Sequence, residues 1–279
     1  MRLLGILALA LAGLYGVAVL SLALGQRRLI YPGSWMERPP AEAVAGTETI
    51  TLRTDDGESL HALWRPPQPG CGVVVSFHGN ASVPEPHAER FSEGVWRQGG
   101  WGVLAPAYRG YPGSTGRPSE DGLIRDGVAA YVAAAERAPG ASILLHGHSL
   151  GAAIAVAVAE RAPHLGLYLE APFDSMSHLV RLLYPFVPSG LLLADTYRSD
   201  RRIAGRTEPV LIVQGTHDPV VPAKLAVRLA AAAGPQAQLR LIPGDHVSIM
   251  GEEDAGAEAL FRGRMKSRCG AVPAQAAAP

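Results

Sequence analysis

Cysteine is scarce. The chain has 279 residues and two cysteines, Cys71 and Cys269, which belong to no CxxC pair or Cys/His cluster. That excludes a zinc module and a fold built on disulfides, and two cysteines so far apart in sequence do not report the redox compartment. Lysine is scarcer than its charge class: Lys224 and Lys266 are the only lysines among 25 basic residues, balanced by 25 acidic ones. With no net charge, no global field draws the protein to nucleic acid or to an acidic surface. The phosphate-cradling GxxxxGK[ST] and dinucleotide GxGxxG patterns are both missing, so the glycines Gly110, Gly113 and Gly116 read as a structural loop, and no cofactor or metal is expected. Apolar residues are plentiful at 48%, enough for a large core, which rules out a disordered or fibrous chain.

No charged residue interrupts Leu3 to Leu24. As a helix this run rises about 33 Å, enough to cross a bilayer's hydrocarbon. The competing reading is a cleaved secretory signal ending at Ala23-Leu24-Gly25. The length of the run, and Arg27 and Arg28 directly after it, favour an uncleaved single-pass anchor over residues 1–25. Basic residues flank both ends, so the side of the membrane stays open; a cleaved segment would mean secretion.

Residues 26–46 hold Pro32, Gly33, Pro39 and Pro40 without an apolar period and read as a linker. The folded part then spans 47–266, and removing residues 1–25 is expected to leave it soluble and active. Thr47–Arg53 and Ser59–Arg65, around Asp55-Asp56-Gly57, have hairpin patterning. Short apolar runs follow at Gly72–Phe77, Gly102–Pro106, Ser142–His146, Leu165–Leu169, Pro209–Gln214 and Gln238–Ile242, as suits parallel strands buried on both faces. One helical pattern starts after Ser119, an N-cap, and would bury Ile124, Val128, Tyr131, Val132 and Ala135. Others run from Leu150 to Glu160 and from near Glu252 to Lys266, while 267–279 reads as a disordered tail. The layout is α/β, a mainly parallel sheet with helices on both faces and an antiparallel edge.

The run Ser142–His146 leads into Gly147-His148-Ser149-Leu150-Gly151 and then a buried-type helix. This is G-x-S-x-G in its strand-to-helix context, where the serine sits on a strained turn and flanking side chains would strike neighbouring backbone. A serine hydroxyl needs a base, and the base a carboxylate. Asp218 follows the strand ending at Gln214 and His246 follows the last strand, giving the order Ser, acid, His. Asp174 and Asp195 are rivals for the acid; Asp245 adjoins His246 too closely to reach the far side of its ring, and His217 comes before the last strand. Oxyanion donors are expected from the backbone N–H groups of Leu150, at a helix start, and Asn80, in His78-Gly79-Asn80-Ala81. His78 reads as holding that loop, and His148 as filling space beside the serine.

The order of these pieces resembles the α/β-hydrolase superfamily over about residues 47–266, and most of all its short, N-terminally anchored ABHD-type serine hydrolases. The likeness rests on His78-Gly79-Asn80-Ala81, the loop Tyr108–Gly116, Pro118-Ser119-Glu120, the elbow, Glu170-Ala171-Pro172-Phe173, and the Asp218 and His246 loops. Pro112 departs from the glycine common at that place, and the stretch after Phe173 is unusually apolar. The resemblance implies cofactor-free hydrolysis of acyl esters or thioesters, lipid and protein-acyl substrates included. A peptidase on the same fold, and a binding or scaffold protein without turnover, remain the alternatives. Between Phe173 and Pro209 the large aliphatic residues are expected to line an acyl pocket, with Leu183 and Phe186 in its wall.

Overall fold

A computed structural model describes residues 1–265 and residue 269. Its centre is an eight-stranded sheet in the order β1-β2-β4-β3-β5-β6-β7-β8. The hairpin of β1 (Glu48–Arg53) and β2 (Ser59–Arg65) turns at Gly57, which takes a positive φ of 90°. β2 pairs antiparallel with β4 (Gly102–Pro106). The other strands, β3 (Val73–Phe77), β5 (Ile143–His148), β6 (Gly166–Glu170), β7 (Val210–Gly215) and β8 (Ala237–Ile242), run parallel with β4. The central strands are buried throughout, as their unbroken apolar runs require, whereas the edge strand β8 alternates.

Helices cover both faces. One core gathers Val73, Val75 and Phe77 with α4 (Glu120–Arg137), α5 (Leu150–Ala159) and α9 (Ala223–Ala233); the other gathers Val74, Leu144 and Tyr168 with α2 (Glu85–Phe91), α3 (Gly94–Gln98) and α10 (Asp254–Arg262). The two-residue period of the strands sorts side chains between them. Ser119 caps α4 by accepting from the N–H of Gly122. The buried face of α4 differs from expectation: Leu123, Ile124, Ala130 and Ala134 point inward, while Val132 is exposed. The cause is Gly127, where a Cβ would lie 2.7 Å from Val158 and 2.8 Å from Ile154, so the helix turns its glycine face to α5.

The N-terminal helix α1 runs Arg2–Ile30, five residues past the expected boundary, and is long and apolar enough to cross a membrane. A 3-10 turn, Pro32–Trp35, follows it. The stretch expected as a linker is packed on the domain instead: Tyr31 is fully buried, and its hydroxyl bonds Asp195 and Tyr197. Gly33, one of the residues that suggested a linker, serves this close packing, for a Cβ there would strike the Tyr111 ring at 2.1 Å, whereas Pro39 and Pro40 are exposed. Between β6 and β7 lie α6 (Met176–Leu183), α7 (Ser189–Leu192) and α8 (Ser199–Arg202). Cys71 and Cys269 are joined in a disulfide, a pairing that their separation of 198 residues concealed. Of the expected disordered tail, only Cys269 lies within the described residues.

Candidate active site

The sheet order reverses between β3 and β5. From β3 the chain crosses to β4 on one side and then returns to β5 on the other, leaving a crevice beyond their C-terminal ends. The loop after β3 carries Asn80 and the turn after β5 carries Ser149, so topology brings two expected site residues to this crevice. The turn at Ser149 is strained, with φ 55° and ψ −116°. Flanking glycines are sterically required: a Cβ on Gly147 would lie 2.2 Å from the Gly151 carbonyl oxygen, and one on Gly151 would lie 2.0 Å from that of Phe77. The Ser149 N–H donates to the Glu170 carbonyl at 2.9 Å, which ties the turn to the end of β6. Leu150 opens α5, where the first N–H groups have no partner within the helix.

Asp218 and His246 meet. The His246 Nδ1 donates to Asp218 Oδ2 at 2.7 Å, while Oδ1 accepts from the N–H groups of Val220 and Val221, both at 2.8 Å. Gln214 Nε2 adds a bond to Oδ2 at 3.0 Å. Partial burial pushes the Asp218 pKa up, but the imidazole and the two backbone donors outweigh it and hold the carboxyl below its ordinary range. With Nδ1 committed as donor, the neutral ring carries its acceptor lone pair on Nε2. The rivals lie elsewhere: Asp174 pairs with His178 and Arg228, and Asp195 with Arg27 and Tyr31. Asp245 accepts from the N–H groups of Val247 and Ser248 and so shapes the His246 turn.

The loop after β3 passes over the serine, since a Cβ on Gly79 would lie 3.2 Å from His148 Nδ1 and 3.7 Å from Ser149 Cβ. Its peptide at Asn80 is pinned, the carbonyl accepting from the Tyr111 hydroxyl at 2.6 Å and from the Gly33 N–H at 3.1 Å. The Asn80 side chain donates to the Ile30 carbonyl at 3.2 Å. His78 donates from Nδ1 to the Gly79 carbonyl and packs on Tyr108, and burial pushes its pKa down to about 4, so it holds the loop as a neutral ring. His148 does more than fill space. Its Nε2 donates to the His246 carbonyl at 2.8 Å, with burial and then His246 lowering its pKa to about 4. That role was hidden because nothing in the elbow's sequence says where the partner 98 residues away will lie.

Beneath the elbow a buried carboxylate, Glu170, receives Arg90 through both oxygens and the Nε2 of His146 at 2.9 Å. Burial opposes its charge, but the Arg90 guanidinium and His146 keep its pKa well below the usual carboxylate range. The loop from Tyr108 is structural as expected: Arg109 clamps the buried Asp126 and the exposed Asp56, and Tyr111 reaches Asn80.

A cavity of about 580 Å³ opens at Ser149, lined by Leu150, Phe173, Met176, Leu179 and Leu183 among others. Leu183 is where the sequence placed it. Phe186 is not: it lies outside the lining and is 84% exposed, because Pro185 follows the end of α6 and the chain turns outward there. One wall was not foreseen at all, since Val19, Leu22, Ala23, Gln26 and Ile30 of α1 line the same cavity.

Residues 112–256 match the family described as "Alpha/beta hydrolase domain". An uncharacterized protein of Mycobacterium tuberculosis is 38% identical over 226 residues, covering 78% of this chain and 79% of that protein. The lysophosphatidylserine lipase ABHD12 of Xenopus tropicalis is 28% identical over 190 residues, 60% of this chain and 48% of its own. Among solved structures, an esterase of Pyrococcus furiosus, Pf2001, superposes with a TM-score of 0.62 at 17% identity, covering 82% of this chain and all of its own. The chain belongs to the α/β-hydrolase family, as an ABHD-type member.

Proposed function

We propose that the protein is a membrane-anchored serine hydrolase that cleaves acyl esters or thioesters through an acyl-enzyme. The observation that carries this reading is the strained Ser149 turn opening onto an apolar cavity, with the paired Asp218 and His246 on loops of the same sheet edge. Ser149 Oγ attacks the acyl carbon as its proton passes to His246 Nε2, and the carbonyl π pair moves onto oxygen. The N–H groups of Leu150 and Asn80 stabilise that oxyanion, with the start of α5 adding its dipole. Collapse breaks the bond to the alcohol or thiol, which leaves with the proton from His246. Water then attacks the acyl-enzyme with His246 again as base, and the proton returns to Ser149 as the acid departs. Asp218 fixes the imidazole tautomer and balances its transient charge.

No charged side chain among the described residues lines the cavity, which favours an apolar acyl group over a peptide with its polar backbone. Turnover requires none of the geometry to be lost, so the same set of parts argues against a scaffold role. The disulfide favours placing the domain on an oxidising side of the membrane, with Arg2 on the other. Fluorophosphonate labelling tests the reading: the probe should label wild type at Ser149 and leave Ser149→Ala untouched. That variant should lose about 10⁶ in kcat. Ester hydrolysis near the wild-type rate in Ser149→Ala refutes the assignment.

A further inference from the structure

The cavity at Ser149 is built from two elements that meet along a seam. On one side are Val19, Leu22 and Ala23 of α1; on the other are Leu179 and Leu183 of α6 and Leu192 of α7. Polar ties close the seam at its domain end. Gln26 donates to the Leu192 carbonyl at 3.1 Å and accepts from the Ala194 N–H at 2.7 Å, and Arg27 pairs with Asp195 at 3.1 Å. Farther out, the Tyr15 hydroxyl donates to the Phe186 carbonyl at 2.5 Å. Tyr15 precedes Arg27 by twelve residues, or about 18 Å along a helix axis, so the segment joining α6 and α7 extends beside the apolar run of α1 and past its last turns.

That segment presents Tyr184, Phe186 and Leu191 outward, at 59%, 84% and 89% exposed, and no charged residue occurs from Leu182 to Ala194. At the other end of the seam, Arg28 lies over the exposed Trp35 ring at 4.6 Å, the pairing of cation and indole suited to a headgroup layer. A helix able to span a bilayer, with Arg27, Arg28 and Trp35 marking the interface, carries the exposed apolar segment to hydrocarbon depth beside it. The polar Tyr15–Phe186 bond satisfies two groups that would otherwise meet lipid unpaired.

We propose that the cavity takes its acyl chain directly from the membrane leaflet, through the seam between α1 and the α6–α7 segment, and that the substrate is a bilayer-resident lipid acyl ester. This rests on the serine-hydrolase reading above and adds the source of the substrate. The anchor is then part of the binding site, and the acyl tail moves between the two apolar walls without crossing water, while the ester reaches Ser149 at the domain end.

The test uses full-length protein in phosphatidylcholine vesicles, comparing kcat/KM for a vesicle-embedded dodecanoyl ester with that for a soluble acetyl ester. Phe186→Glu/Leu191→Glu places charges at two exposed positions outside the cavity lining. It should lower the ratio of embedded to soluble activity at least tenfold, with acetyl-ester turnover and fluorophosphonate labelling at wild-type rates. Ala23→Trp, which narrows the seam from α1 and stays apolar, should lower the same ratio tenfold, and Leu11→Trp, outside the lining, should leave it unchanged. A ratio unmoved by both Phe186→Glu/Leu191→Glu and Ala23→Trp, in protein that still labels at Ser149, overturns the entry route. Absence of labelling and of both activities in wild type would instead overturn the serine-hydrolase reading.

Discussion

The sheet edge around Ser149 and the seam between α1 and the α6–α7 segment are held by different forces. At the edge, backbone sterics decide: glycines at positions 147 and 151 admit no Cβ, and Asp218 is fixed by N–H groups two and three residues ahead. At the seam, side chains reach across most of the chain, with Tyr15 to Phe186, Gln26 to Leu192 and Arg27 to Asp195 separated by 171, 166 and 168 residues. The first kind of constraint acts on the backbone and leaves the turn little freedom; the second can be cut one tie at a time without touching the sheet. Under the proposed function chemistry and substrate access are then separable, and variants should divide along that line.

The largest effect after loss of Ser149 belongs to the edge. Asp218→Asn keeps the shape but offers His246 Nδ1 an amide able to stabilise the wrong tautomer, so kcat on any ester should fall about 10⁴. Asp174→Asn, outside the constellation, should change kcat by less than threefold, because its partners are His178 and Arg228. Equal damage from the two changes would erase the distinction between edge and periphery.

Deleting residues 1–25 cuts the seam instead. The sequence alone suggested that this leaves an intact enzyme, but Val19, Leu22 and Ala23 line the cavity. Losing that wall forfeits apolar contact on the order of 1.5–3 kcal/mol for a long chain. Selectivity for a dodecanoyl over an acetyl ester should thus fall about 10- to 100-fold, with acetyl turnover held by the edge. Full selectivity in the truncated protein would show that α1 contributes no acyl contact.

A smaller change tests neither region and so serves as a control. The Cys71–Cys269 disulfide fastens the chain beyond α10 to the loop before β3. Cys71→Ser should leave kcat unchanged and lower Tm by about 5–10 °C, from a disulfide contribution of about 2–4 kcal/mol. Unreduced protein from an oxidising compartment should offer no thiol to a maleimide until reductant is added. Two free thiols in that preparation would remove the argument for which side of the membrane the domain occupies.

Legibility follows the same division. The strands and the elbow could be read because a buried parallel strand needs a short apolar run and the turn needs its two glycines, both local demands. Ser119 announced α4 for the same reason. The buried face of α4 could not be read, since Gly127 only gains meaning once Val158 and Ile154 are placed against it. Helix α2 was obscured by Pro84 and Pro86, and the α9 run Ala223–Ala233 is too rich in alanine to show an apolar face by contrast. Leu183 and Phe186 looked alike as large apolar residues, yet one lines the cavity and the other faces out, a difference made by where α6 stops. The last turns of α1 gave no sign that a cavity wall was among their duties, because a membrane span and a pocket wall ask for the same residues.

One residue stands where the two regions join, and among the changes expected to slow the chemistry it should give the smallest loss. The Asn80 carbonyl accepts from both the Tyr111 hydroxyl, on the edge, and the Gly33 N–H, just beyond the anchor. Tyr111→Phe removes the first donor and leaves the second, so Asn80 loses one of two restraints on its carbonyl, in the peptide next to the one that carries its N–H, while the ring's packing against His78 and Tyr108 persists. A single hydrogen bond contributes about 0.5–1.5 kcal/mol net, which corresponds to roughly a 2- to 12-fold change. In the proposed mechanism the N–H in question acts on the developing oxyanion, so that loss should fall on kcat, with KM steady and the acyl-chain preference intact. A rise in KM for long chains at constant kcat would show that Tyr111 acts through the anchor rather than through the oxyanion loop, and would move Asn80 from the chemistry to the seam.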